Sequence, residues 1–153
     1  MTAPYDSTAD TLAHIDRVQH YVGFFLADLA YRSSIHDQSK LVEPEKSGFD
    51  IATPRLRELA YGSDEYNASL ADLQETLAHH YAANDHHPEH HPRGVAGMNL
   101  FSIVEMFCDW MAAVERHANG DIKQSIVINQ QRFGYSDELR DILFNTVDYL
   151  QTI

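Results

Sequence analysis

Between Leu100 and Val114 apolar residues recur every three or four positions, at Leu100, Ile103, Val104, Phe107, Trp110, Met111 and Val114. That is the period of an α-helix with one face turned to a core. The same period runs through Leu12, Ile15, Val18, Val22, Phe25, Leu26 and Leu29 near the start, and through Leu139, Ile142, Leu143, Val147 and Leu150 near the end. No segment shows sustained alternation of period two bounded by hairpin turns. The expectation is an all-α fold of about six to seven helices, with 100–114 the central one because its apolar face is the widest. A chain of 153 residues suffices for one buried core and is short for two ordinary domains, so residues 1–153 are expected to form a single domain.

Capping signals set the expected boundaries. A first helix opens after Ser7, with Asp10 as its acidic partner, and runs to about Tyr31, where Ser33-Ser34 interrupts the pattern. A helical piece follows from near Ile35 to Glu43-Pro44, because proline disfavours helix in the residue before it. Thr53-Pro54 opens a short helix that stops near Gly62. Ser63 caps a longer helix that turns Tyr66, Leu70, Leu73 and Leu77 to the core and delivers His79 and His80 at its C-terminal part. The stretch from Asp85 to Gly97, rich in Pro, Gly and His, reads as a loop and a site wall. Asn99 caps the central helix, which ends before Asn119-Gly120. Asp121 with Gln124 opens a helix through Ile126, Val127 and Ile128 that Gly134 ends, and Ser136 caps the last one.

The balance of 23 acidic against 11 basic residues gives a net charge of −12, which argues against a protein that tracks nucleic-acid phosphates or lies on a membrane surface. No stretch approaches a membrane span, and the start, MTAPYDSTAD, lacks the regions of a signal peptide, so the expected location is the cytoplasm. The single cysteine, Cys108, can form no internal disulfide and reads as a buried structural thiol. The last helix, Leu143 to Ile153, could either pair two subunits or fold onto its own core.

Ten histidines are the unusual count, and six of them lie between His79 and His91. Imidazole is the commonest side-chain ligand of catalytic transition metals. The alternative is an adventitious His-rich loop that binds metal without chemistry. The adjacent pair His36-Asp37 can reach one ion from two directions, and His14 lies upstream on the first helix. Asp109 sits inside the apolar helix, where a carboxylate needs a metal or a hydrogen-bonded partner; Arg116 is one alternative partner, and Glu105 a neighbour one turn away. His20, His90, His91 and His117 are read as non-ligands.

A histidine, a His-Asp pair and a distant aspartate, here His14, His36-Asp37 and Asp109, resemble the motif of the HD-domain superfamily of metal-dependent phosphohydrolases. HIDRV resembles the superfamily's first-histidine helix, and His36-Asp37-Gln38-Ser39-Lys40 its His-Asp-x-x-Lys variant. The strings HDQSKL, HHYAANDHHPEHH, MNLFSIVEMFCDW and ERHANGDIKQSI resemble a small family of bacterial and phage HD-like proteins over nearly the whole chain. The resemblance implies that His14, His36, Asp37 and Asp109 converge on one divalent ion. It also implies that Asp37 bridges a second ion where there is one, held by histidines between the pair and Asp109. His79, His80, His86 and His87 are the candidates for that role.

The implied activity is hydrolysis of a nucleotide or another small phosphate ester by metal-activated water, with manganese, cobalt, nickel or iron preferred to zinc. Asp37, Lys40 and His80 are the candidate catalytic residues, and Lys40, Asn84 and His87 the candidate substrate contacts. Asp16 is an alternative acid or base, and Arg17 and Arg93 are alternative phosphate contacts. Two other readings stay open: an HD-like di-iron oxygenase, and a metal- or nucleotide-binding protein without turnover.

Overall fold

The computed structural model describes residues 5–59, 63–117 and 120–153. Among them there are seven α-helices and no strand, so the chain is all-α as its periodicity predicts. None of the helices is long and apolar enough to cross a membrane. Contacts divide the chain into two units, residues 1–35 and 36–153.

The first unit is one helix, α1 (Thr8–Ile35), with no buried residue. It runs past the expected stop near Tyr31 because Ser33 and Ser34 do not break it. Their hydroxyls donate back to the carbonyls of Ala30 (2.9 Å) and Tyr31 (2.6 Å), a bond that serine makes without leaving the helix.

The second unit begins with a turn at His36 and Asp37 and a short 3-10 turn, Gln38–Leu41, where a helical piece was expected. Helix α2 (Glu45–Arg57) starts well before the expected Thr53-Pro54 boundary and carries Pro54 inside it. Helices α3 (Asp64–Ala71) and α4 (Gln74–Ala83) replace the single long helix expected after Ser63. Ser63 does cap α3, its hydroxyl accepting from Tyr66 N at 3.1 Å. Leu73, at the break between the two, is buried. Helix α2 packs on α3, on α4 and on the 38–41 turn. Gly48 permits the approach to α4, since a Cβ there would collide with Thr76.

The histidine-rich stretch forms two 3-10 turns, Pro88–His90 and Gly94–Gly97. His90 and His91 hold it to the backbone, through the carbonyls of Tyr81 (2.9 Å) and Asp85 (2.8 Å). Helices α5 (Leu100–Val114), α6 (Ile122–Phe133) and α7 (Asp137–Leu150) follow, α6 packing on both neighbours. Their caps are those expected. Asn99 accepts from Ser102 N, Asp121 from Lys123 N and Gln124 N, and Ser136 from Leu139 N, while Gly134 ends α6 in the left-handed region at φ 66°. The expected stops at Gly62 and Asn119 lie outside the described residues.

The core joins Val95, Met106, Phe107, Trp110, Ile126, Tyr135, Leu143 and Val147. Helix α5 thus supplies more of it than any other element. Not all of its apolar breadth is used, since Leu100 and Val104 are exposed. Cys108 is exposed as well, which corrects the expectation of a buried thiol. It lies one turn beyond Val104 on the side of α5 turned away from Met106 and Trp110.

Candidate metal centre

Asp37 is the only described non-glycine residue at positive φ (57°). Aspartate enters the left-handed region more readily than most residues, and a residue held there marks a site whose surroundings determine its conformation. The turn directs its carboxylate among three imidazoles. Asp37 Oδ1 lies 3.3 Å from His80 Nε2 and 3.5 Å from His86 Nε2, and Oδ2 lies 3.5 Å from His36 Nε2. Lys40, one helical turn on, donates to Oδ2 at 2.6 Å while its ammonium rests 5.0 Å from the centre of the Phe49 ring. Burial pushes the Asp37 carboxyl up, but the neighbouring His80 ring and the charge and hydrogen bond of Lys40 outweigh it and hold it well below the usual carboxylate range.

Helix α5 brings two carboxylates to the same place from positions four residues apart, which lie on one helix face. Glu105 Oε1 accepts from His36 Nδ1 (2.9 Å) and lies 3.2 Å from His86 Nδ1, so both rings turn their Nε2 atoms toward Asp37. Asp109 Oδ1 lies 3.7 Å from His36 Nε2. The hydrogen-bonding influence of Asp109 raises the His36 pKa to about 9; burial opposes this, while Glu105 and the charge of Asp37 assist it.

Helix α4 and the loop after it supply the remaining rings. His80 is buried, and its Nε2 meets that of His87 at 2.9 Å. Burial, followed by the neighbouring His86 and His80, lowers the His87 pKa to about 3. Burial and then His36 lower that of His86. Both rings are therefore neutral at pH 7, the form in which imidazole is a ligand.

Among the described residues, three sets of donors lie close enough to share an ion: Asp37, His80, His86 and His87; His36, Asp37 and Asp109; and His36, His86 and Glu105. Asp37 belongs to the first two. Two buried atoms in this cluster, Asp37 Oδ1 and His86 Nε2, have no hydrogen-bond partner. An unmade bond to a buried polar atom costs about 1–3 kcal/mol, so these two atoms fit a cation that lies between them. The His80 and His87 nitrogens also fit, because two ligands at about 2.1 Å and a right angle stand about 3 Å apart.

Of the expected site residues, His36, Asp37, His80, His86, His87 and Asp109 come together, with Lys40 beside them. His79 does not join them. Adjacent helical residues point about 100° apart, and while His80 faces Asp37, His79 is half exposed and its Nδ1 lies 2.7 Å from Glu45 Oε1. Asn84 spends its amide nitrogen on Ser39 Oγ (2.9 Å) and the His80 carbonyl (2.8 Å). His14 belongs to α1, in the first unit.

Sequence reasoning missed Glu45, which is fully buried and accepts from His80 Nδ1 and Ser39 Oγ, each at 2.8 Å, as well as from His79. Burial pushes its carboxyl up, and the hydrogen bonds from His79, Ser39 and His80 more than reverse that.

The described residues thus form an all-α protein with a partly buried cluster of histidines and carboxylates that could hold a metal ion. Residues 3–149 match the model of a family of unknown function (DUF5662), and the chain belongs to that family. No curated protein and no solved structure matches it significantly.

Proposed function

We propose that the protein is a metal-dependent phosphohydrolase acting on a nucleotide or another small phosphate ester. The observation that carries the reading is the pair of unpartnered buried atoms, Asp37 Oδ1 and His86 Nε2, among the neutral rings of His86 and His87 and the ionised carboxyl of Asp37. His36, Asp37 and Asp109 would hold one ion, and Asp37, His80, His86 and His87 a second. Manganese, cobalt, nickel or iron suits so many nitrogen and oxygen donors better than four-coordinate zinc. Such an ion, when bound, polarises a phosphoryl oxygen and lowers the pKa of its water from 15.7 toward about 7. Lys40 supplies the positive charge for a phosphate oxygen, at the cost of its bond to Asp37. With a single ion, in the His36, Asp37 and Asp109 set, His80 and His87 would line the same space as proton-transfer and substrate contacts instead of ligands. By the resemblance alone His14 would be a further ligand, and the metal content of His14→Ala decides that point.

The test is elemental analysis of untagged wild type beside Asp37→Ala, followed by phosphate release from a nucleotide panel with manganese, cobalt or nickel. Stoichiometric metal lost in the variant, with metal-dependent release, is the expected result. Metal retained by Asp37→Ala would overturn the site. That Asp37 is shared by two donor sets also favours a second reading, a di-iron oxygenase. Tightly bound iron and oxygen consumption without phosphate release would bring it forward.

A further inference from the structure

We propose that Glu45 is the positioning residue of this centre: its carboxylate fixes His80 as the Nδ1–H tautomer and so keeps His80 Nε2 bare toward Asp37 and His87. The inference rests on the reading that the cluster holds a cation.

Glu45 is 0% exposed, and a buried carboxylate is tolerable only when its lone pairs are used. Here they are. Oε1 takes His79 Nδ1 at 2.7 Å, and Oε2 takes His80 Nδ1 and Ser39 Oγ, each at 2.8 Å. An ionised carboxylate only accepts, so each ring nitrogen that touches it must carry a proton.

Other groups near His80 Nδ1 do not compete. Asn84 Nδ2 is 3.0 Å away, but its two protons go to Ser39 Oγ and the His80 carbonyl. Ser39 Oγ is 3.3 Å away, and its proton goes to Glu45. The network closes with one assignment, Nδ1–H on His80, and in a neutral ring that leaves Nε2 with its lone pair. The distal carboxylate also raises the basicity of that lone pair, and loss of such a partner typically weakens metal binding roughly 10–100-fold. Glu105 stands in the same relation to His36 and His86. Glu45 repeats the device from α2, on His80.

The test uses the full chain labelled with ¹⁵N-histidine. Long-range proton–nitrogen spectra of metal-free wild type should show His80 as the Nδ1–H tautomer, a measurement that needs no variant to fold. In Glu45→Gln the amide has one accepting and one donating end, so it cannot accept from both rings. The expected result is loss of the Nδ1–H signature on His79 or His80 and manganese(II) affinity, read by electron paramagnetic resonance, lower by roughly 10–100-fold, with an unchanged helical circular dichroism spectrum. An Nε2–H tautomer of His80 in wild type that does bind manganese would overturn this inference alone, as would full affinity in folded Glu45→Gln. Wild type that binds no manganese, cobalt, nickel or iron would overturn the cation reading and this inference with it.

Discussion

At the scale of single residues the centre depends on Asp37, a side chain held in the left-handed region and shared between two donor sets. Asparagine also enters that region readily, so Asp37→Asn should leave the circular dichroism spectrum intact. Its loss of metal affinity should exceed the roughly 10–100-fold typical of outer-shell changes, which a metal titration measures. Two imidazoles with large shifts contribute to how the metal-free protein responds to pH. His36 titrates at about 9 when folded, above the ordinary histidine value of 6.5, so the folded state binds the extra proton and stability falls as pH rises from 6.5 through 9. His87 titrates at about 3, so the unfolded state binds the extra proton and stability falls as pH drops from 6.5 toward 3. From these two groups, chelator-treated protein should be more resistant to urea near pH 6.5 than at pH 5 or pH 9. His36, Asp37 and Asp109 were legible as a motif, and the other histidines as a cluster from which spacing alone could not choose. Glu45 was not legible, because its histidine partners lie 34 and 35 residues away and nothing local separates it from the other 22 acids of a chain with net charge −12.

At the scale of elements, the helices that sequence resolved best are those with a side-chain cap at the start and glycine or polar residues at the end. Asn99, Asp121, Ser136 and Gly134 all act as read. Helix α2 was misplaced because Pro54 reads as a first-turn residue, while the true start at Pro44-Glu45 has no side-chain cap to announce it. The division between α3 and α4 was missed because the apolar period continues across it to Leu73, which is buried. Where α2 meets α4, Gly48→Ala would force Thr76 aside, and overpacking of this kind costs about 1–3 kcal/mol. The same contact carries Glu45 and His80, so urea unfolding and metal affinity should weaken together. In the α5–α7 core, Ile126 is 0% exposed. Ile126→Ala should cost about 2–5 kcal/mol and Ile126→Val about 0.5–1.5 kcal/mol, with metal content per folded molecule unchanged.

At the scale of the whole molecule, a net charge of −12 opposes the approach of an anionic substrate. Added salt screens that repulsion. If the substrate is a nucleotide, its KM should fall as potassium chloride is raised from low concentration, the opposite of what a basic binding groove would show. The single tryptophan is Trp110, on α5, stacked against Phe133 and Tyr135 with ring centres 6.3 and 6.2 Å away, and next in the chain to Asp109. It is 8% exposed, so its emission begins in an apolar setting. The protein therefore carries its own optical probe at the seam between core and centre. Cobalt or nickel seated beside Asp109 should dim that emission without moving its wavelength, whereas loss of the core should redden it, so one spectrum tells an emptied centre from an unfolded chain.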